Sequence, residues 1–185
     1  MKNKMIKFKN ISPNVAKSAF IADGAKVIGD VSIGEDSSVW FNCVLRGDVN
    51  YIKIGKRTNV QDLTTIHVWH ASYSEDGELL DAGYPTIIGD DVTIGHNCVI
   101  HACKIDDRCL VGMNAVVMDG AKIGCESIVG AGSVITKGKV FPPRSLILGS
   151  PAKLVRQLND EEAKSLLESA QNYVKFKDEF LKNCE

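Results

Sequence analysis

At 185 residues the chain has room for one domain with a substantial core. Its 44% hydrophobic and 24% charged residues exclude low-complexity disorder, and no apolar run approaches the roughly 20 residues of a membrane-spanning helix. Lys plus Arg number 22 against 23 Asp plus Glu, so there is no cationic footprint for a polyanion, and neither nucleic acid nor membrane is expected as a partner. Three lysines precede Phe8, but no apolar stretch or small-residue cleavage site follows, so a cytoplasmic location without a secretory leader is expected.

From Val15 onward, branched aliphatic residues recur every six positions: Val15, Ile21, Val27, Ile33, Val39 and Leu45. After a longer step come Ile54, Val60 and Ile66. Following an insertion over 68–85 come Ile88, Ile94 and Ile100, then Ile105, Val111, Val117, Ile123, Val129, Ile135 and Phe141. Four positions after most anchors sits a small or branched residue, among them Val31, Ser37, Cys43, Thr58, Thr64, Val92, Cys98, Cys109, Ala115 and Ser127. Two inward positions per six residues describe a short strand plus a turn, and three such units close one triangular coil, so the spacing predicts a parallel β-helix. Gly34, Gly55, Gly89, Gly95, Gly112, Gly124 and Gly130 follow anchors directly and are read as bends that need backbone freedom.

No two of the six cysteines form a C-x-x-C pair. Cys43, Cys98, Cys103 and Cys109 fall at the small inward position, where Cys acts as a compact hydrophobe. Cys125 and Cys184 fall outside it and receive no role. The six-residue period is expected to end at Phe141, where Pro142, Pro143 and Gly149-Ser150-Pro151 break regular structure. Asn159 with Glu162 then reads as a capping box, and Ala163, Leu166, Leu167, Ala170, Val174 and Leu181 form the apolar stripe of a helix. The organisation expected is a β-helix over residues 1–158 and an amphipathic helix over 159–185, packed on the β-helix or on a neighbouring subunit.

The same register places the histidines. His67 and His101 each follow a third-strand anchor by one residue in consecutive coils, so they stack about 4.8 Å apart and can chelate one ion. His96 follows a second-strand anchor by two residues and lies toward another edge of the prism, so a neighbouring copy must bring it to the pair. A cyclic homotrimer would then carry three interfacial His₃ sites, a ligand set that leaves a fourth position open on zinc. Arg46 lies one coil before His67, and Gln61 and Asp62 one coil before His96. Arg46 and Asp48 serve either as an ion pair fixing the interface or as site groups; Gln61 and Asp62 serve to hydrogen-bond ligands or metal-bound water.

At these residues the chain resembles the γ-class carbonic anhydrase-like family of hexapeptide-repeat proteins. The resemblance rests on Arg46-Gly47-Asp48, on Asn59-Val60-Gln61-Asp62 leading to His67, and on Gly95-His96-Asn97-Cys98-Val99-Ile100-His101. Gly149-Ser150-Pro151-Ala152-Lys153 and Ser169 to Lys175 are similar to a bacterial subgroup of that family. The resemblance implies an all-β, left-handed β-helix with a C-terminal α-helix. It also implies a homotrimer that binds zinc, or alternatively Fe²⁺ or Co²⁺, through His67 and His101 of one subunit and His96 of the next. Arg46 and Asp48 would support the interface and site, Gln61 and Asp62 would position the nucleophile, and Tyr173 would approach from the helix. The sequence departs from the family's pattern at Val49, where archetypal members place a glutamate; valine cannot take a proton, and His70 in the following loop, an imidazole able to carry one, is the substitute shuttle or an exposed loop residue.

The activity this implies is reversible hydration of CO₂ to bicarbonate by zinc-activated water. Two alternatives stay open on the same fold: acyl transfer to, or hydrolysis of, a coenzyme A thioester, and a catalytically silent, metal-stabilised trimer.

Overall fold

The computed structural model describes residues 4–183; Cys184 lies outside the described residues. The chain folds as a left-handed parallel β-helix of about 8 turns followed by one C-terminal helix, α1 (Asp160–Asn183). Anchors from successive coils pair in register, as Ile66, Ile100, Val117 and Ile135 do on the third face. Every anchor from Val27 to Phe141 is buried, and so is each small position from Val31 to Ser133. The solenoid is therefore filled by two residues per strand, one large and one small, which alternate along each short segment as interior packing requires. Among the described residues no helix is long and apolar enough to cross a membrane.

Burial raises the thiol pKa of Cys43, Cys103 and Cys109 to about 12 and that of Cys98 to about 11, so these four are unreactive core residues.

Two details of the repeat differ from the sequence reading. The glycines that follow the anchors do not adopt the left-handed conformation; they are needed because adjacent coils touch there. A Cβ on Gly34 would stand 2.6 Å from the carbonyl oxygen of Gly55, and one on Gly112 2.5 Å from the amide nitrogen of Ala131. The left-handed turn falls two residues later, on residues with side chains, at Asp36, Arg57, Asp91, Arg108, Glu126 and Arg144 along the first edge. The period also runs one unit beyond Phe141, because Ile147 takes a fully buried anchor place on the strand Ser145–Gly149, paired with Ile128–Val129. Only then does the chain reverse into the antiparallel strand Ala152–Gln157.

Along that first edge the side chains alternate in sign, from Asp36 through Arg57, Asp91, Arg108 and Glu126 to Arg144. Arg57 donates twice to Asp91 at 2.7 Å, and Arg108 meets Glu126 at 3.0 Å. Helix α1 caps the ladder at both ends, with Asp160 on Arg144 and the Lys177 ammonium 3.5 Å from Asp36. The lengths match: five coil steps of about 4.8 Å and seventeen helical residues of about 1.5 Å both span about 25 Å. Exposed ion pairs contribute little stability individually, and here they match α1 to the length of the edge it lies along.

The helix buries Leu166, Ala170 and Lys177, with Tyr173 and Phe180 half-buried, on its own β-helix; Leu181, expected in the stripe, is 57% exposed because the stripe drifts past it. Beneath the helix lie buried polar side chains that satisfy one another: Asn59 donates to the Thr93 hydroxyl at 3.0 Å, which meets the Ser169 hydroxyl at 3.1 Å. Lys177, almost wholly buried, donates to the Ser18 carbonyl at 3.1 Å and to Asp178 at 2.7 Å. Phe20, Trp40, Phe41 and Phe180 close the lower end, with Trp40 and Phe180 centroids 5.3 Å apart and perpendicular.

The capping box forms as read: the Asn159 amide donates to Glu162 at 3.0 Å, and the Glu162 amide to Asn159 Oδ1 at 2.9 Å. Paired hydrogen bonds from Arg156, joined by the Asn159 amide, hold the Glu162 carboxyl at about 2, against an ordinary 4.5. Because the folded value is depressed, this support for the helix start is complete above pH 4.5 and is lost as pH falls toward 2. Glu162→Gln should therefore lower the urea midpoint of the helix signal at neutral pH, with the gap to wild type closing near pH 2; an equal gap at both pH values would refute the assignment.

Candidate metal centre

The centre is built on two edges of the third face. On one edge, the strands Thr65–His67 and Val99–His101 pair in register, with His67 directly opposite His101. Their rings face each other with His67 Nδ1 3.1 Å from His101 Nε2. Each ring turns its outer nitrogen to a carboxylate: His67 Nε2 lies 2.9 Å from Asp48, and His101 Nδ1 lies 2.6 Å from Asp119.

Asp48 reaches His67 because the strand Val44–Ile54 bulges. Gly29 pairs with Gly47 and Val31 with Ile52, so residues 48–51 oppose the single residue Asp30. A bulge re-aims side chains, and this one turns Asp48 back onto the coil that follows. Arg46 is ion-paired to Asp48 within the same chain. Burial pushes the Asp48 carboxyl up, but hydrogen bonds from His67 and Arg46 outweigh it and hold the group below the usual carboxylate range.

His96 lies on the other edge, away from the pair. Its Nδ1 is 2.8 Å from Asp62, one coil below in the same place of the repeat, and Asp62 is itself fixed by the Phe41 amide at 3.2 Å. Gln61 beside it is buried and donates from Nε2 to Asn59 Oδ1 at 3.2 Å, which leaves its carbonyl oxygen unassigned by that bond. Tyr173 packs edge-on against Trp40 at 5.8 Å, and burial, then the nearby charge of Asp62, raises its phenol pKa. His70 is exposed, stacked on Trp69 at 5.0 Å, with its Nδ1 2.8 Å from the Ala71 carbonyl. It borders a cleft of about 440 Å³ together with Asp48, Val49, Phe8, Ile11 and Tyr73.

The structure thus gathers Arg46, Asp48, His67 and His101 on one edge, Gln61, Asp62, His96 and Tyr173 on the other, with His70 on the inserted loop. Asp119 is the site residue the sequence reading missed. The carboxylates expected from the sequence precede each histidine by one coil, whereas Asp119 sits in the coil after His101, two residues past the anchor Val117; its signal in the sequence is that place in the coil that follows.

This donor set fits a cation. When each outer N–H donates a hydrogen bond to its carboxylate, the inner nitrogens of His67 and His101 both present lone pairs to the same point, an arrangement suited to a shared cation such as a metal ion. His96, held by Asp62 in the same manner, has Nε2 free to ligate. Among the described residues no three His, Cys, Asp or Glu side chains converge to hold a metal ion within one chain.

The hexapeptide family model described as "Bacterial transferase hexapeptide (six repeats)" matches residues 85–117 and 102–137. A protein of Methanocaldococcus jannaschii named "Probable carbonic anhydrase" is 49% identical over 161 residues, covering 87% of this chain and 94% of that protein. "Gamma carbonic anhydrase 2, mitochondrial" of Arabidopsis thaliana is 46% identical over 163 residues, 88% of this chain; the match spans 56% of the length of that relative. Among solved structures, a hexapeptide transferase family protein from Anaplasma phagocytophilum superposes with a TM-score of 0.86 at 39% identity, covering 97% of this chain and 99% of that one. By its coils, its motifs and these relatives, the chain belongs to the γ-class carbonic anhydrase-like family of hexapeptide-repeat proteins.

Proposed function

We propose that the protein is a metal-dependent lyase interconverting CO₂ and bicarbonate, acting in the cytoplasm, with its centres assembled between the subunits of a homotrimer. One observation carries the reading: three carboxylate-backed histidines occupy the two edges of a single face, two of them converging and the third out of their reach. Between those edges the outward side chains Val44, Thr65, Val99, Val116 and Val134 form a flat ladder poor in charge, suited to packing against a further copy. The carbonic anhydrase names of the relatives support the same reaction.

Zn²⁺, or Fe²⁺ or Co²⁺, would be held by His67 and His101 of one subunit and His96 of the next, and supplies activation of water at neutral pH when bound. The chain's own residues do the rest. Asp48, Asp119 and Asp62 fix ring orientation and tautomer, and Arg46 balances the Asp48 charge so that the carboxylate stays ionised beside His67. Gln61, its amide nitrogen committed to Asn59, directs its oxygen as an acceptor that orients the attacking water. His70, with Nδ1 on the Ala71 carbonyl, keeps Nε2 open to solvent to carry the released proton, a task Val49 cannot perform. Tyr173 shields the Asp62 side of the centre.

The test is stopped-flow CO₂ hydration on metal-quantified protein, in the zinc form and the anaerobic iron form. Hydration should vanish on chelation and return on reloading, and a fully metallated trimer without hydration overturns the reading. A second reading, hydrolysis of a short acyl thioester of coenzyme A, is favoured by the 440 Å³ cleft, whose walls of Phe8, Ile11, Val49 and Tyr73 exceed what CO₂ requires. Thioester cleavage by the loaded protein in the absence of hydration would select it, and absence of both activities would leave a metal-stabilised scaffold.

A further inference from the structure

We propose that Leu63 is the apolar anchor by which each copy of this chain seats its His96 edge on the His67–His101 edge of the next copy. The inference rests on the intersubunit centre just proposed and names the contact that assembles it.

Along the second edge of the prism the six coils before the chain reverses each turn through a left-handed residue. These are Gly24, Asn42, Leu63, Asn97, Asn114 and Gly132, so five of the six are Gly or Asn, the two residues that adopt this conformation at least cost. Leu63, at φ 63°, is the aliphatic exception. It gains no compensating burial within its own chain, being 57% exposed, and its amide bond to the Phe41 carbonyl at 3.0 Å would form with any residue there. Along the first edge the same conformation falls on charged side chains that meet water or an ion partner, whereas Leu63 combines it with an exposed aliphatic side chain, a combination that contact with a second copy would repay.

Its position points to the occupant. Leu63 directly follows Asp62, whose carboxylate holds His96, so it stands on the edge that a neighbouring copy must approach to complete the ligand set. The edge that lacks the third histidine exposes matching apolar surface beside the ligands: Trp69, 40% exposed with its ring 6.1 Å from His101, and Met118, which is 36% exposed and follows the anchor Val117 as His101 follows Ile100 one coil before. The outward valine ladder runs between the two edges, so Leu63 continues a surface already suited to a second copy.

Leu63→Asn, with Leu63→Gly as the second variant, tests this by sedimentation velocity over a dilution series of the zinc-loaded protein, together with thermal unfolding of the chelated protein. Both variants relieve the strain, so the unfolding midpoint should hold or rise. The trimer dissociation constant should increase by about tenfold or more, because the anchor is lost. An unchanged dissociation constant with a raised unfolding midpoint would leave Leu63 a strained surface residue and overturn the inference while the trimeric centre stands. A zinc-loaded wild type that remains monomeric overturns both readings together.

Discussion

Subunits carrying His96→Ala, mixed with subunits carrying His101→Ala after dissociation and reassembly, are expected to recover activity and metal from two proteins that have neither. Each variant alone lacks one ligand at every centre. In a mixed trimer, one junction joins the intact His67–His101 pair of a His96→Ala subunit to the intact His96 of a His101→Ala subunit. Random assembly at equal amounts places both types in about three trimers of four, each with one intact centre of three, so about a quarter of wild-type metal and turnover returns. A centre contained in one chain would recover nothing. The carboxylate partners make the prediction sharp, since Asp62 travels with His96 and Asp48 and Asp119 travel with the pair, so each intact junction keeps its full supporting set.

Ile100→Ala is expected to cost about 2–5 kcal/mol of stability, against about 0.5–1.5 kcal/mol for Ile100→Val. Ile100 is fully buried and stacks between Ile66 and Val117 in consecutive coils, so truncation opens a cavity that those rigid neighbours do not fill. His101 is the next residue, and its ring depends on that strand for its place opposite His67. Metal affinity should therefore fall with Ile100→Ala and change little with Ile100→Val. Denaturant unfolding and metal titration of both variants check this, and a loss below about 1 kcal/mol for the alanine variant would show that the coil relaxes around the site.

Much of the centre was legible because the solenoid converts sequence distance into spatial distance. Once the anchors are aligned, with the insertion set aside, Ile66 and Ile100 are neighbours, so His67 and His101 face each other and Asp62 lies beneath His96. The Asn159–Glu162 box was equally legible, since its partners lie within one helical turn. By contrast, the role of the glycines after the anchors was not, because a six-residue period shows where a turn occurs but not how closely adjacent coils approach. Asp119, the buried ammonium of Lys177 and the exposure of Leu181 depend on which coil or helix face comes to lie opposite, and that is a tertiary outcome.

The sequence by itself determined the coil, its two inward positions and the two histidine columns, because in a repeating parallel strand the in-or-out direction of a side chain is a local property. Tertiary structure decided the rest. The bulge opposite Asp30 aims Asp48 at His67, and α1 lies where Asp160 and Lys177 reach the two ends of the first edge's charge ladder. These outcomes depend on distances between coils and on the rigid length of a helix, quantities that no six-residue pattern contains.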